Sequence, residues 1–169
     1  MPKPLLDRLR PDSIAEFRLA ASERYRDGEA AATNDRRTAA IYLWGYAAEM
    51  TIKAAYFSIA SFRPTQNITR QDLDSAKTIA IKQHQVNWTN PRSLHNVAAW
   101  AELLIKIRPL SPLTSYGNAN FGAEVQTKCR VVQVLWSEQL RYHKNVAYQH
   151  EVDQMKEAVD WLLNRSLSL

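Results

Sequence analysis

Residues Arg37 to Tyr56 read RTAAIYLWGYAAEMTIKAAY, a nearly unbroken apolar and small-residue stretch in which two charges, Glu49 and Lys53, stand four residues apart. Ile41, Trp44 with Gly45, Ala48, Ile52, Ala55 with Tyr56, and Ile59 recur at three- and four-residue steps, the spacing of one helix face. So apolar a helix needs neighbours on most of its circumference, which makes it the central element of whatever forms. At i,i+4 with the acid on the N-terminal side, Glu49 and Lys53 form an ion pair worth only ~0.2–0.5 kcal/mol if exposed. Gly45, Ala48, Ile52 and Tyr56 surround Glu49, which turns it inward, and a buried acid requires a cationic or hydrogen-bonding partner. Arg141 is the candidate partner from a facing segment. A buried network, an exposed pair and a ligand contact are the three roles open to this couple.

The rest of the chain also reads as helix. Ser13-x-x-Glu16 is a capping-box pattern followed by Ile14, Phe17, Ala21 and Tyr25 at helical spacing, with a stop expected at Gly28. Asn34 is placed to cap the central helix, expected from about Asp35 to Ser61, with Pro64 barring extension. Thr69-x-x-Asp72 opens a third helix through about Ile81, and Gln83 to Arg92, with Trp88 and Pro91, reads as loop. From Ser93 or Leu94, the spacing of Val97, Trp100, Leu104 and Ile107 marks a further helix ended by Pro109 and Pro112. A polar loop with Ser115 to Asn118 follows. Phe121, Val125, Cys129, Val132 and Trp136 line the next helix, a polar turn spans Arg141 to Asn145, and Val152, Met155, Val159 and Leu162 line a last helix from near Tyr148. No alternating strand pattern or repeat appears. The expected fold is all-α, an antiparallel up-and-down bundle of four to five helices.

Composition narrows the function. A chain of 169 residues suits one domain, with a helical core over about 12–165 and an extended arm at 1–11. The apolar runs are interrupted short of the ~20 residues a membrane helix needs, and Met1 to Asp7 lacks a signal-peptide core. The expectation is therefore a cytoplasmic protein without a membrane partner. The single Cys129 has no internal disulfide partner and reads as a reduced core residue. Residues 1–30 and 111–169 each carry six basic and six acidic side chains, whereas residues 31–110 carry ten and five, so the net +5 sits mid-chain. Arg36, Arg37, Arg63, Arg70, Lys77, Lys82, Arg92, Lys106 and Arg108 can form a phosphate-attracting patch, but their dispersion favours a solvated face. His84, His95, His143 and His150 show no metal-ligand spacing, and the four glycines form no phosphate loop or nucleophile elbow. No metal and no cofactor is expected. Of the five tryptophans, Trp44, Trp100, Trp136 and Trp161 lie within or beside apolar stripes, while Trp88 is the one read as functional.

Three segments in order, Gly45-Tyr-Ala-Ala-Glu49 within the long helix, Ser93-Leu-His-Asn-Val-Ala-Ala-Trp100, and Trp136-Ser-Glu-Gln-Leu-Arg-Tyr142, resemble the HEPN family. These are small helical bundles named for higher eukaryotes, prokaryotes and nucleotide binding. The resemblance spans roughly residues 12–165. It implies an up-and-down bundle that works as a homodimer, or beside a partner such as a nucleotidyltransferase or an antitoxin, on nucleotide or RNA. In the family's ribonucleases an Arg is followed after four to six residues by a His, one stabilising phosphate charge and the other moving a proton. Here the windows after Arg141 fall on Val146, Ala147 and Tyr148, whereas His143 comes early and His150 late. The ribonuclease pattern is therefore not carried over.

Glu49, Lys53, His95, Arg141 and Tyr142 remain as candidate ligand-binding residues, with Arg141 and Tyr142 as phosphate clamp and stacking ring, or with Arg141 tied to Glu49 to close the bundle. His95 either anchors its helix start or lines a pocket near Glu49. Three functions compete: a nucleotide- or RNA-binding regulatory module; a metal-independent ribonuclease of toxin or defence type using Arg141 with His143 or His150; and a purely structural or protein-interaction bundle.

Overall fold

A computed structural model describes residues 9–89, 93–110 and 119–169. Among them are six α-helices and no strand: α1 (Ile14–Thr33), α2 (Arg37–Ile59), α3 (Arg70–Lys82), α4 (Val97–Ile107), α5 (Ala119–Leu135) and α6 (Gln149–Asn164). Short 3-10 turns cover Arg108–Leu110 and Glu138–Tyr142. Residues 1–8 of the expected arm, Pro91, Arg92, Pro112 and the Ser115 to Asn118 loop lie outside the described residues.

α2 is the hub, packing against α1, α4, α5, α6 and the Glu138–Tyr142 turn. Its apolar circumference explains this: Ala40, Trp44, Ala47, Ala48 and Ile52 are fully inaccessible to water. Around it α4 contributes Val97, Trp100, Leu103 and Leu104, α5 Val125, Cys129 and Val132, and α6 Met155, Val159 and Leu162. Burial pushes the Cys129 thiol well above its ordinary range, which keeps it protonated in the core.

Several boundaries differ from the sequence expectation for local physical reasons. Gly28 does not stop α1; a Cβ there would collide with the Trp44 indole, so this glycine admits the ring of α2 while the helix runs on to Thr33. Asn34 does not cap α2. Its amide instead donates to Ala30 O at 2.7 Å and closes α1, and Asp35 turns the chain with φ of 54°. α2 begins at Arg37 without a local side-chain cap. Its second N–H, on Thr38, donates to Asn145 Oδ1 at 3.0 Å, so a distant residue supplies the cap.

α4 begins at Val97 rather than at Ser93 or Leu94, because the Asn96 side chain accepts the Ala99 N–H at 3.0 Å. Ser93 Oγ accepts the His95 N–H at 3.0 Å in the approach to the helix. Trp88 is not a surface stacker. It is 5% exposed, donates to Ser93 O and meets Trp100 edge-on. The Thr69 and Asp72 capping box forms as expected at α3, with Asp72 held below the usual carboxylate range by hydrogen bonds from Thr69. The expected polar turn at Arg141 to Asn145 is instead the tail of the Glu138–Tyr142 turn followed by a stretch pinned to α2, where Thr38 Oγ1 accepts the N–H groups of Val146 and Ala147 at 2.8 and 2.9 Å.

α1 and α6 are laced together by polar contacts. Tyr25 donates its hydroxyl proton to Asp160 at 2.6 Å, and Lys156 reaches Asp160 at 2.9 Å and Glu29 at 3.1 Å. Partial burial opposes the Lys156 charge, but its hydrogen bonds to Tyr25, Asp160 and Glu29 outweigh that cost and raise its pKa. No helix among the described residues is long and apolar enough to cross a membrane.

Candidate functional site

Glu49 and Lys53 face inward from α2, with side chains 3% and 8% exposed. The Lys53 ammonium donates to Glu49 Oε1 and sits 5.5 Å from the Trp100 ring centre, so both an anion and a π-face hold the buried cation. The i,i+4 spacing thus produces an interior pair.

The second partner of Glu49 is His95, from the segment leading into α4, and not Arg141. His95 Nδ1 lies 3.0 Å from each Glu49 oxygen, while its Nε2 faces Glu138 Oε2 at 3.2 Å. Desolvation opposes ionisation of Glu49, but hydrogen bonding to His95 and the Lys53 charge overcome it and hold the carboxyl below its usual range. The Glu49 hydrogen bond in turn raises the His95 pKa against its own partial burial. Glu49 is therefore a carboxylate clasped by the Lys53 ammonium from its own helix and by the His95 imidazole from across the fold.

An aromatic wall closes over this clasp. Tyr46 and Trp136 meet edge-on at 5.1 Å between centroids, and each lies edge-on to His95, at 6.1 and 6.2 Å. Tyr42 meets Tyr46 edge-on at 5.1 Å. Trp136 donates its indole N–H to Tyr42 O at 3.0 Å, and its ring occupies the space a side chain at Gly45 would fill. Burial, reinforced by a hydrogen bond with Tyr42, raises the Tyr46 pKa, so the hydroxyl stays protonated. Beside the wall, a polar cavity of 170 Å³ is lined by Thr89, His95, Gln133, Trp136 and Glu138 among others.

Arg141 and Tyr142 end the turn that Glu138 begins, and both are exposed, so the expected Arg141–Glu49 tie does not form. The reason is geometric: the 3-10 turn aims Glu138 at His95 and leaves Arg141 in solvent, its guanidinium over the Tyr142 ring at 4.6 Å. Arg141 is also near enough to Tyr42 and Tyr46 to interact with them electrostatically. His143 and His150 are exposed, and His150 stacks on Tyr148. Of the expected site residues the fold therefore joins buried Glu49 and Lys53 with half-buried His95 in one cluster and leaves Arg141 with Tyr142 on the adjoining surface.

The described basic residues of the middle region are spread over α2, α3, α4 and the segments flanking them, with Arg37, Arg70 and Lys106 paired to Asp35, Asp74 and Glu102. Among the described residues no group of three or more His, Cys, Asp or Glu side chains is placed to hold a metal ion. Sequence reasoning missed Glu138, Tyr42 and Tyr46. Tyr42, Tyr46, Glu49 and Lys53 do recur at four, three and four residues, a single helix face, which was the available signal. Fold and site together define an all-helical domain with a histidine-clasped buried carboxylate behind an exposed arginine–tyrosine pair. The chain matches no family model, no curated protein and no solved structure among those compared.

Proposed function

We propose that this chain is a HEPN-like module, an antiparallel up-and-down bundle that binds nucleotide or RNA without cleaving it, acting as a homodimer or beside a nucleotidyltransferase or antitoxin partner. The observation that carries the reading is the exposed Arg141–Tyr142 pair. Its guanidinium lies over the tyrosine ring, Tyr142 is 74% exposed, and no carboxylate among the described residues neutralises Arg141. A planar fork of N–H donors suits a phosphate, and an exposed ring offers a base a stacking face. Buried Glu49 and Lys53, with half-buried His95, support this surface from behind.

Binding without cleavage is favoured because metal-independent RNA cleavage needs an imidazole free to take a proton. Both His95 nitrogens are engaged by carboxylates, and His143 and His150 stand outside the spacing that a paired arginine and histidine require. The test is incubation of the protein with mixed-sequence RNA in EDTA, scoring retention and cleavage for wild type, Arg141→Ala and Tyr142→Ala. Retention without cleavage, weakened in both variants, is the expected result. Cleavage abolished by Arg141→Ala would instead make the protein a ribonuclease. Neither retention nor cleavage would leave an interaction bundle.

A further inference from the structure

His95 has a carboxylate at each ring nitrogen: Glu49 at Nδ1, 3.0 Å from both oxygens, and Glu138 at Nε2, 3.2 Å away. A neutral imidazole carries one N–H and can donate to only one of them; its other nitrogen presents a lone pair. Only the doubly protonated ring satisfies both contacts. The two carboxylates are not equivalent. Glu49 is 3% exposed and cannot turn to water, whereas Glu138 is 45% exposed and can. On losing a proton His95 therefore keeps Nδ1–H toward Glu49, and a lone pair at Nε2 is left facing the Glu138 carboxylate. That contact changes from attraction to repulsion.

Glu138 opens the turn that ends in Arg141 and Tyr142. The segment is anchored before the turn by the Trp136 indole on Tyr42 O, and after it by Asn145 and the Val146 and Ala147 amides on Thr38. Within the turn, Leu140 is half-buried against the core, and the Glu138–His95 bond is the ionic tie. The charged or titratable groups around His95 are Glu49, Lys53 and Tyr46 from α2 and Glu138 from the turn. Lys53 opposes protonation of His95, and the two glutamates favour it.

We propose that His95 is a pH-operated latch: doubly protonated, it holds the Glu138–Tyr142 turn and so sets Arg141 and Tyr142 in ligand-binding position, and singly protonated it releases them. The inference rests on the reading that Arg141 and Tyr142 contact nucleotide or RNA. His95 and Glu138 are positioning residues in it.

The decisive variant is Glu138→Gln. A carboxamide accepts from the imidazolium through its oxygen and donates to the neutral ring through its nitrogen, so the latch stays closed at either protonation state. The first measurement is an NMR titration of the His95 ring nitrogens together with the Trp136 indole N–H and the Leu140 amide. In the wild type all should move with one midpoint above that of an ordinary histidine. In Glu138→Gln the His95 midpoint should fall and the Trp136 and Leu140 signals should no longer follow it. The second is fluorescence anisotropy of a labelled mixed-sequence RNA against pH. Wild-type affinity should drop several-fold more than that of Glu138→Gln as pH rises through the His95 midpoint, the two proteins being otherwise identical. An ordinary His95 midpoint unmoved by Glu138→Gln overturns the latch, as does the same affinity loss in both proteins. A chain that binds no RNA at any pH overturns the proposed function, and the linked NMR titration then decides whether the turn is latched.

Discussion

Replacing Glu49 by Leu tests whether the Glu49–Lys53 pair is an interior ion pair or a helix-surface one. Both side chains are under a tenth exposed, and the Lys53 ammonium has Glu49 as its acidic partner. Removing the acid leaves Lys53 buried against the Trp100 ring with no carboxylate to balance its charge, and takes from His95 the hydrogen bond that favours its protonation. Breaking a buried pair by deleting one member costs about 3–5 kcal/mol, because the survivor's desolvation is uncompensated. For a domain of this size that corresponds to a fall in Tm of about 6–20 °C. Lys53→Met should cost less, since His95 still neutralises Glu49. The double variant Glu49→Leu/Lys53→Met should lie closer to wild type than Glu49→Leu alone, because apolar side chains of similar volume replace a buried pair at little net cost. Urea unfolding of the three proteins by circular dichroism provides the cycle. Two small, additive losses, each about 0.5 kcal/mol or less as for an exposed i,i+4 pair, would refute the reasoning.

Other perturbations follow from the same packing. Gly45→Ala places a methyl group where the Trp136 ring lies and should destabilise by about 1–3 kcal/mol, with red-shifted Trp136 emission as the indole leaves the wall. Asn145→Ala removes the side chain that caps α2 from a distance and should cost about 1 kcal/mol, read from the urea midpoint. The clasp should also shape the pH dependence of stability. The folded pKa of Glu49 is lowered from 4.5, so its contribution is present above that value and lost as pH falls through the folded pKa. The folded pKa of His95 is raised from 6.5, so its contribution is full below that value and lost as pH rises through the folded pKa. Stability from the clasp should therefore peak between the two, and His95→Gln should flatten the alkaline limb in urea midpoints measured across pH.

The helices were largely legible in the chain because periodicity and local caps depend on residues a few positions apart. Ser13 and Thr69 cap α1 and α3 as their spacing indicates, and the stripes of α5 and α6 face the core where Val125, Cys129, Met155 and Val159 predict. Two boundary readings failed, one where a residue served a tertiary contact and one where its side chain closed the preceding helix instead of opening the next. Gly28 reads as a stop but makes room for Trp44, and Asn34 reads as the start of one helix but finishes another. At the site, the inward turn of Glu49 was legible from its apolar neighbours, whereas its partner was not. Arg141 was the expected partner and His95 was read as a helix anchor or a pocket residue near Glu49, and only the packing of the segment before α4 brought the His95 imidazole onto the carboxylate.

By itself, the sequence determined that the regular elements among the described residues are helices, that the Arg37 to Tyr56 segment lies at the centre, and that Glu49 and Lys53 share a helix face, all consequences of 3.6-residue geometry and side-chain hydropathy. The tertiary structure alone decided that His95 stands between two carboxylates, that Arg141 faces solvent, and that the cap of α2 comes from Asn145, 107 residues beyond the amide it accepts. The physical reason is that each of these depends on the positions of groups brought together by packing, and no local spacing along the chain encodes such a meeting.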